Sequence, residues 1–131
     1  MIDIQTIKPK IKELAEKYGL SLVLLFGSQA TGAAHGKSDV DIAILKTKDV
    51  DKFKIHDDFC DIFKRDDIEI VNMNEASPTM MYVVVRDGKL LYENAPDAFF
   101  SWKLYAIWVW LDTAWLRRLR DRKMIEWAKT V

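Results

Sequence analysis

Ile7, Ile11, Leu14, Ala15 and Tyr18 recur at three- and four-residue spacing, which predicts an amphipathic helix of about three turns. Thr6 is its candidate N-cap, Pro9 falls in the first turn, and Gly19 stands where a helix-ending glycine belongs. The apolar run Leu20–Phe26 is too short for a helix between Gly19 and Gly27, and reads as a strand buried on both faces. After the Gly27-Ser28 turn, residues 29–36 form a small-residue loop. Residues 39–45 then alternate, with Asp39, Asp41 and Ala43 on one face and Val40, Ile42 and Ile44 on the other.

Residues 51–65 carry Ile55, Phe59, Ile62 and Phe63 at helical spacing, and a third strand follows at 68–73, where Glu69, Val71 and Met73 share a face. Ser77-Pro78 is a helix start, and Asp87-Gly88 a helix end or a hairpin turn. Between them, three consecutive valines favour a strand, but the flanking caps favour a helix, and we read a helix. Residues 89–92 make a short edge strand. From Pro96 to about Ala128 no residue breaks the pattern, so one long helix or two consecutive helices follow. At about 100° per residue, Phe100, Leu104, Ile107, Trp108, Leu111 and Trp115 form one apolar stripe. Trp102, Tyr105, Val109 and Leu116 form a second, on roughly the opposite side. A helix that is apolar on two sides packs against two things: either both belong to this domain's own core, or one stripe meets a partner chain or a second copy. The pattern is that of an α/β (α+β) protein, a mixed sheet flanked by helices. It divides into a core at 1–96 and a C-terminal helical extension at 97–131, packed on the core or on a partner.

Composition narrows the class. Half of the 131 residues are hydrophobic, about a third are charged, and the net charge is zero. This describes a globular domain with a real core and no overall drive toward nucleic acid or a membrane surface. The balance is uneven, with 7 Lys/Arg against 4 Asp/Glu from Asp97 onward; the run Arg117, Arg118, Arg120, Arg122, Lys123 reads most simply as a charged helix face. Cys60 is the only cysteine, so no internal disulfide can form and a cytoplasmic setting is expected. No signal-like or membrane-spanning apolar run is present.

The candidate chemistry lies between Leu25 and Leu45. Asp39 and Asp41 are two apart on a strand, so both carboxylates point to one side, and two like charges held together are stable mainly with a cation between them. A Gly-Ser turn offers N–H groups and a hydroxyl to phosphate oxygens. Nucleotidyl transfer from a nucleoside triphosphate needs both, together with a further carboxylate near the attacking oxygen. Gly27 and Ser28, Asp39 and Asp41, and Glu69 on a separate strand fit these roles in turn.

The segments FGSQATG, SDVDIAIL, IEIVNMNEASP and RDGKLLYE, in that order and spacing, resemble the DNA-polymerase-β-type nucleotidyltransferases, most closely the minimal nucleotidyltransferases (MNT) of prokaryotes. The resemblance covers roughly residues 20–93 and implies the polymerase-β-like fold. It implies Mg²⁺ held by Asp39, Asp41 and Glu69 (with Asp67 as the alternative third carboxylate), and ATP phosphates bound by Gly27 and Ser28. Lys37 would replace a phosphate contact that relatives often make with an Arg at the position of Thr31. Similar MNT proteins act with HEPN toxins, so the resemblance implies an antitoxin that moves AMP from ATP to a tyrosine of a HEPN partner. The other readings are a small-molecule nucleotidyltransferase of the aminoglycoside type, and a non-catalytic antitoxin that neutralises by binding. Contact through the C-terminal helix would make a homo- or hetero-oligomer.

Overall fold

The computed structural model describes residues 3–27 and 39–131. Helix α1 (Ile4–Tyr18) leads into β1 (Leu20–Phe26), and β2 is Val40–Lys46. Helix α2 (Lys52–Phe63), β3 (Ile68–Asn72), α3 (Pro78–Asp87) and β4 (Lys89–Glu93) follow, and then α4 (Ala98–Asp112) and α5 (Ala114–Thr130). The four strands lie in the order β3-β2-β1-β4. β1 pairs antiparallel with both β2 and β4, whereas β2 and β3 run parallel. Helices cover both faces of this mixed sheet, as the hydrophobic pattern predicts.

β1 is central and apolar on both sides. Val23 and Leu25 point into a core shared with Ile11, Leu14, Ile55 and Phe59 of α1 and α2. Leu22, Leu24 and Phe26 point into a second core with Met81, Val84, Trp102 and Ala106 of α3 and α4. A register shift between Leu20 and Leu22 moves Leu20 to the same side as Val23, because a bulge reverses the alternation of side chains. In β2 the alternation is regular: Val40, Ile42 and Ile44 face the first core and Ala43 the second.

One helix end differs from the sequence expectation. α1 begins a turn before Thr6: Asp3 is its N-cap and accepts from Gln5 N at 3.1 Å and from Thr6 Oγ1 at 2.7 Å. Pro9 therefore lies inside the helix. Gly88 does end α3, but with φ −71°. Its need for glycine is spatial, since a Cβ there would run into the Val84 carbonyl oxygen that its own N–H bonds at 2.7 Å. The Ser77-Pro78 start is as expected, with Ser77 Oγ accepting from Met80 N, and the caps prevail over the three valines.

Asp58, on a helix face the sequence suggests is merely solvated, accepts a 2.5 Å hydrogen bond from the buried Tyr18 hydroxyl and an ion pair from Lys17 at 3.5 Å. Donating to this carboxylate pushes the Tyr18 pKa up to about 12. The phenol's folded pKa lies above its unfolded value near 10, so its contribution is complete below pH 10 and fades as pH rises through about 12. Tyr18→Phe is expected to lose about 1 kcal/mol of stability at pH 8. It should also remove the part of the alkaline destabilisation that wild type shows above pH 10, as denaturant melts at pH 8 and pH 11 would show.

The C-terminal segment is two helices, joined at Thr113. Trp102 and Ala106 of α4 are buried and Val109 packs beside them. Tyr105 and Leu116, on the same stripe by sequence, are exposed. The side of α4 turned to the core is centred nearer Ala106, and Trp110 stacks on Tyr82 at 4.4 Å between ring centroids. Glu93 Oε2 caps α4 by accepting from Phe99 N at 3.0 Å. Among the described residues, no helix is long and apolar enough to cross a membrane.

Candidate active site

The site is assembled at one end of the sheet, where β1 finishes and β2 and β3 begin. Phe26 pairs with Asp41, and Asp41 with Glu69 on the far side, so the two carboxylates stand on neighbouring strands in register. Adjacent strands lie about 4.8 Å apart, which brings like charges together. Asp39 stands immediately before β2 and is exposed, as is Glu69, whereas Asp41 is half-buried. Burial pushes the Asp41 carboxyl above the usual carboxylate range, and the charges of Glu69 and then Asp39 raise it further. Asp39, Asp41 and Glu69 are thus one electrostatic unit, built from two segments.

Gly27 sits against this unit. Its φ is +73°, a left-handed conformation that glycine adopts without strain. A Cβ at this position would collide with Asp41 Oδ2. The glycine that ends β1 therefore provides both the turn and the space in which the Asp41 carboxylate rests. Ser28 and Lys37, the other two candidate phosphate ligands, lie outside the described residues, as do Thr31 and the small-residue loop expected at 29–36.

Asp67, the alternative third carboxylate, precedes β3 and is engaged elsewhere. Arg65 donates to it from Nε at 2.7 Å and from Nη2 at 2.5 Å, and this fork holds the Asp67 carboxyl below its ordinary range. The Asp67 carbonyl accepts from Val40 N at 3.1 Å, so the turn carrying the Arg65–Asp67 fork is tied to the start of β2. The Arg65 guanidinium is raised first by the bond to Asp67, with a smaller contribution from Asp39. Sequence reasoning did not find Arg65; an Arg two residues before an Asp in a tight turn was the available signal. His56 is structural, its Nε2 bonded to the Ile68 carbonyl at 2.9 Å. Cys60 packs beside the first core.

A divalent cation fits this site by its chemistry. Asp41 and Glu69 stand in register on neighbouring strands with Asp39 just before β2, and the charge of Asp41 is disfavoured until something positive arrives. Among the described residues no group of three His, Cys, Asp or Glu side chains is placed to hold a metal ion, so a bound Mg²⁺ would rest on one or two of these carboxylates and take the rest of its shell from water and substrate phosphates. A separate groove of about 850 Å³, lined among others by Ile44, Phe53, Asn72 and Met80, lies at the opposite ends of β2 and β3 and contains none of these carboxylates.

A family model described as "Polymerase beta, Nucleotidyltransferase" matches residues 9–97. The chain belongs to this family. The matched span includes every candidate site residue and ends just before α4. The protein adenylyltransferase MntA of Aphanizomenon flos-aquae is 37% identical over 92 residues, covering 61% of this chain and 61% of the relative. That of Shewanella oneidensis is 31% identical over 81 residues, covering 60% and 58%. The chain thus spans about six-tenths of the length of the curated relatives it matches. Among solved structures, a toxin–antitoxin with AMP-PNP superposes with a TM-score of 0.72 at 26% identity, over 89% of this chain and 98% of that one. A tri-AMPylated Shewanella oneidensis HEPN toxin in complex with MNT antitoxin gives a TM-score of 0.69 at 23% identity, over 93% and 99%. The second likeness is one of fold. The family's polymerase-β-like architecture is the mixed sheet described above.

Proposed function

We propose that this protein is a Mg²⁺-dependent nucleotidyltransferase that moves AMP from ATP to a hydroxyl, a tyrosine, of a HEPN-type toxin, and so acts as its antitoxin. The observation that carries the reading is the Gly27–Asp41–Glu69 arrangement: a left-handed glycine abutting one strand carboxylate, which is in register with another. The relatives named protein adenylyltransferase support AMP as the transferred group. The fold shared with a toxin–antitoxin solved with AMP-PNP supports a protein acceptor.

In this reading the end of β1 seats the triphosphate, with Gly27 leaving the backbone open to its oxygens and Ser28 adding a hydroxyl. Asp39 and Asp41 would hold Mg²⁺, which when bound would supply positive charge to offset that of the phosphates and make the acceptor hydroxyl easier to deprotonate. Glu69 takes the acceptor's proton as the bond from oxygen to the α-phosphorus forms. The bond from the α-phosphorus to the oxygen bridging the β-phosphate breaks, and pyrophosphate leaves with its electron pair. Arg65, fixed by Asp67, keeps a positive charge beside Asp39 without displacing it from the site.

Incubation with α-labelled ATP, Mg²⁺ and the protein encoded beside this chain, which this reading expects to be of HEPN type, tests the proposal. Label on a tyrosine of that protein is expected. Label on an added aminoglycoside instead would mark a small-molecule enzyme, and label on neither, with the partner still neutralised, a non-catalytic binder.

A further inference from the structure

The nucleotidyl-transfer site makes no use of the outer face of the C-terminal helices, which lie beyond the family match. Phe100, Leu104, Ile107, Trp108 and Leu111 share one face of α4 and Trp115 continues it into α5; all six are between 41% and 66% exposed. The opposite side of α4 already packs on the protein's own core through Trp102, Ala106 and Trp110, so this stripe is not needed to cover the sheet. If each large side chain offers about 100 Å² of apolar surface, the patch reaches about 600 Å², the upper end for a monomer. α5 extends it, for none of its residues is buried, and Leu116, Leu119 and Trp127 are exposed. Together the two helices approach the ~800 Å² per partner of a stable complex.

The joint between them is fixed. The Arg117 guanidinium stacks on Trp110 at 3.3 Å from the ring centroid. It also donates to Thr113 Oγ1 at 2.7 Å and to the Trp110 carbonyl at 2.5 Å, one of the free acceptors at the end of α4. Arg117 is therefore a structural clamp, not part of a solvated basic face, and it presents α5 at a set angle to α4.

Charge selects the occupant. Within Ala114–Thr130 there are six Lys/Arg and two Asp/Glu, a net +4, leaving 14 Lys/Arg and 18 Asp/Glu in the rest of the chain. A two-fold contact between copies lays α5 either on α5, with +4 opposite +4, or on α4, whose Lys103 and Asp112 sum to zero, so neither arrangement gives the basic helix an acidic counterpart. An acidic amphipathic helix satisfies both features, its apolar side on the stripe and its carboxylates against Arg118 and Arg122, which share one side of α5. Position adds a further reason. α4 covers the sheet face on which Phe26, the cross-strand neighbour of Asp41, is buried, so whatever docks on α4 is held on the catalytic side.

We infer that the α4–α5 face docks the acceptor protein through an acidic, amphipathic helical surface; this rests on the reading of a protein acceptor above. The test uses Trp108→Glu/Leu111→Glu and, separately, Arg118→Glu/Arg122→Glu, with the HEPN-type neighbour as probe. Complex formation is followed by sedimentation, labelling as a function of partner concentration, and nucleotide binding by the melting shift with AMP-PNP and Mg²⁺. Both variants are expected to keep the wild-type melting temperature and nucleotide shift, and to need at least tenfold more partner for half-maximal labelling. Raising salt from about 50 to 500 mM should weaken the wild-type complex severalfold, and that of the Arg118→Glu/Arg122→Glu variant less. Wild-type labelling and binding by both variants would overturn the docking surface and leave the transfer reading intact. A wild-type complex that the variants abolish, but which carries no label, would do the reverse. A chain that self-associates through this face while still binding its partner would also overturn the inference, as would the absence of any wild-type complex.

Discussion

Replacing Asp41 with Asn is expected to lower AMP transfer by about 10³-fold or more, because the variant loses a charged ligand where phosphate charge must be neutralised. The same change should make the metal-free protein more stable. Folding half-buries the Asp41 carboxyl and sets it beside Glu69 and Asp39, raising its pKa above the unfolded value. A carboxyl with a raised folded pKa favours the native state only while it is protonated. The favourable effect is present below the unfolded pKa, is lost as pH rises through the folded one, and leaves the full penalty at neutral pH. Like charges opposed on neighbouring strands cost about 0.2–1 kcal/mol, so the Asn variant should melt about 2–5 °C higher at pH 7.5. The gain should vanish at a pH below the ordinary carboxylate range, where the wild-type carboxyl is protonated in both folded and unfolded states. Mg²⁺ with AMP-PNP should raise the wild-type melting temperature and leave that of the variant nearly unmoved. Scanning calorimetry at the two pH values, with and without the nucleotide and metal, checks all three outcomes.

Gly27→Ala should damage the same site from the backbone side. A left-handed φ costs an L-residue about 1–2 kcal/mol, and the new methyl would meet Asp41 Oδ2. The chain must shift either the end of β1 or the Asp41 carboxylate. A displacement of about 1 Å at a reacting centre costs on the order of 100-fold in rate. Transfer is therefore expected to fall about 100-fold or more, with a melting temperature only a few degrees lower and partner binding unchanged. A rate within about threefold of wild type would show that Gly27 serves the turn and not the site.

The sequence made the core legible because each element states its own period. Ile7 to Tyr18 announced a helix by spacing, β2 a strand by alternation, and Ser77-Pro78 a helix start that outweighed three valines. Asp39, Asp41 and Glu69 were legible for the same reason, since strand parity alone places them on defined faces. What parity cannot give is which strands are neighbours. That Asp41 faces Glu69, and that Asp67 is engaged by Arg65, depends on the parallel register of β2 with β3 and on a side-chain fork within a turn. The Asp58–Tyr18 bond and the Arg117 clamp on Trp110 escaped notice because Asp58 and Arg117 read as ordinary helix surface, and periodicity does not show which side chains on other turns or helices they reach. In α4, where nearly every position is apolar, the period carries little information. Only the packing of Ala106 showed which side meets the core and left the Trp108–Leu111 stripe outside.

Whether Asp39, Asp41 and Glu69 do chemistry on a partner is best measured with the Asp39→Ala/Asp41→Ala double variant. It would be co-expressed with the HEPN-type neighbour, and both AMP on the neighbour and the growth of the cells would be followed. The carboxylate site predicts a complex that still forms, a partner that carries no AMP, and cells that stop growing. Full protection by the double variant, with an unmodified partner, would show that neutralisation proceeds by contact and that nucleotidyl transfer is not the mechanism.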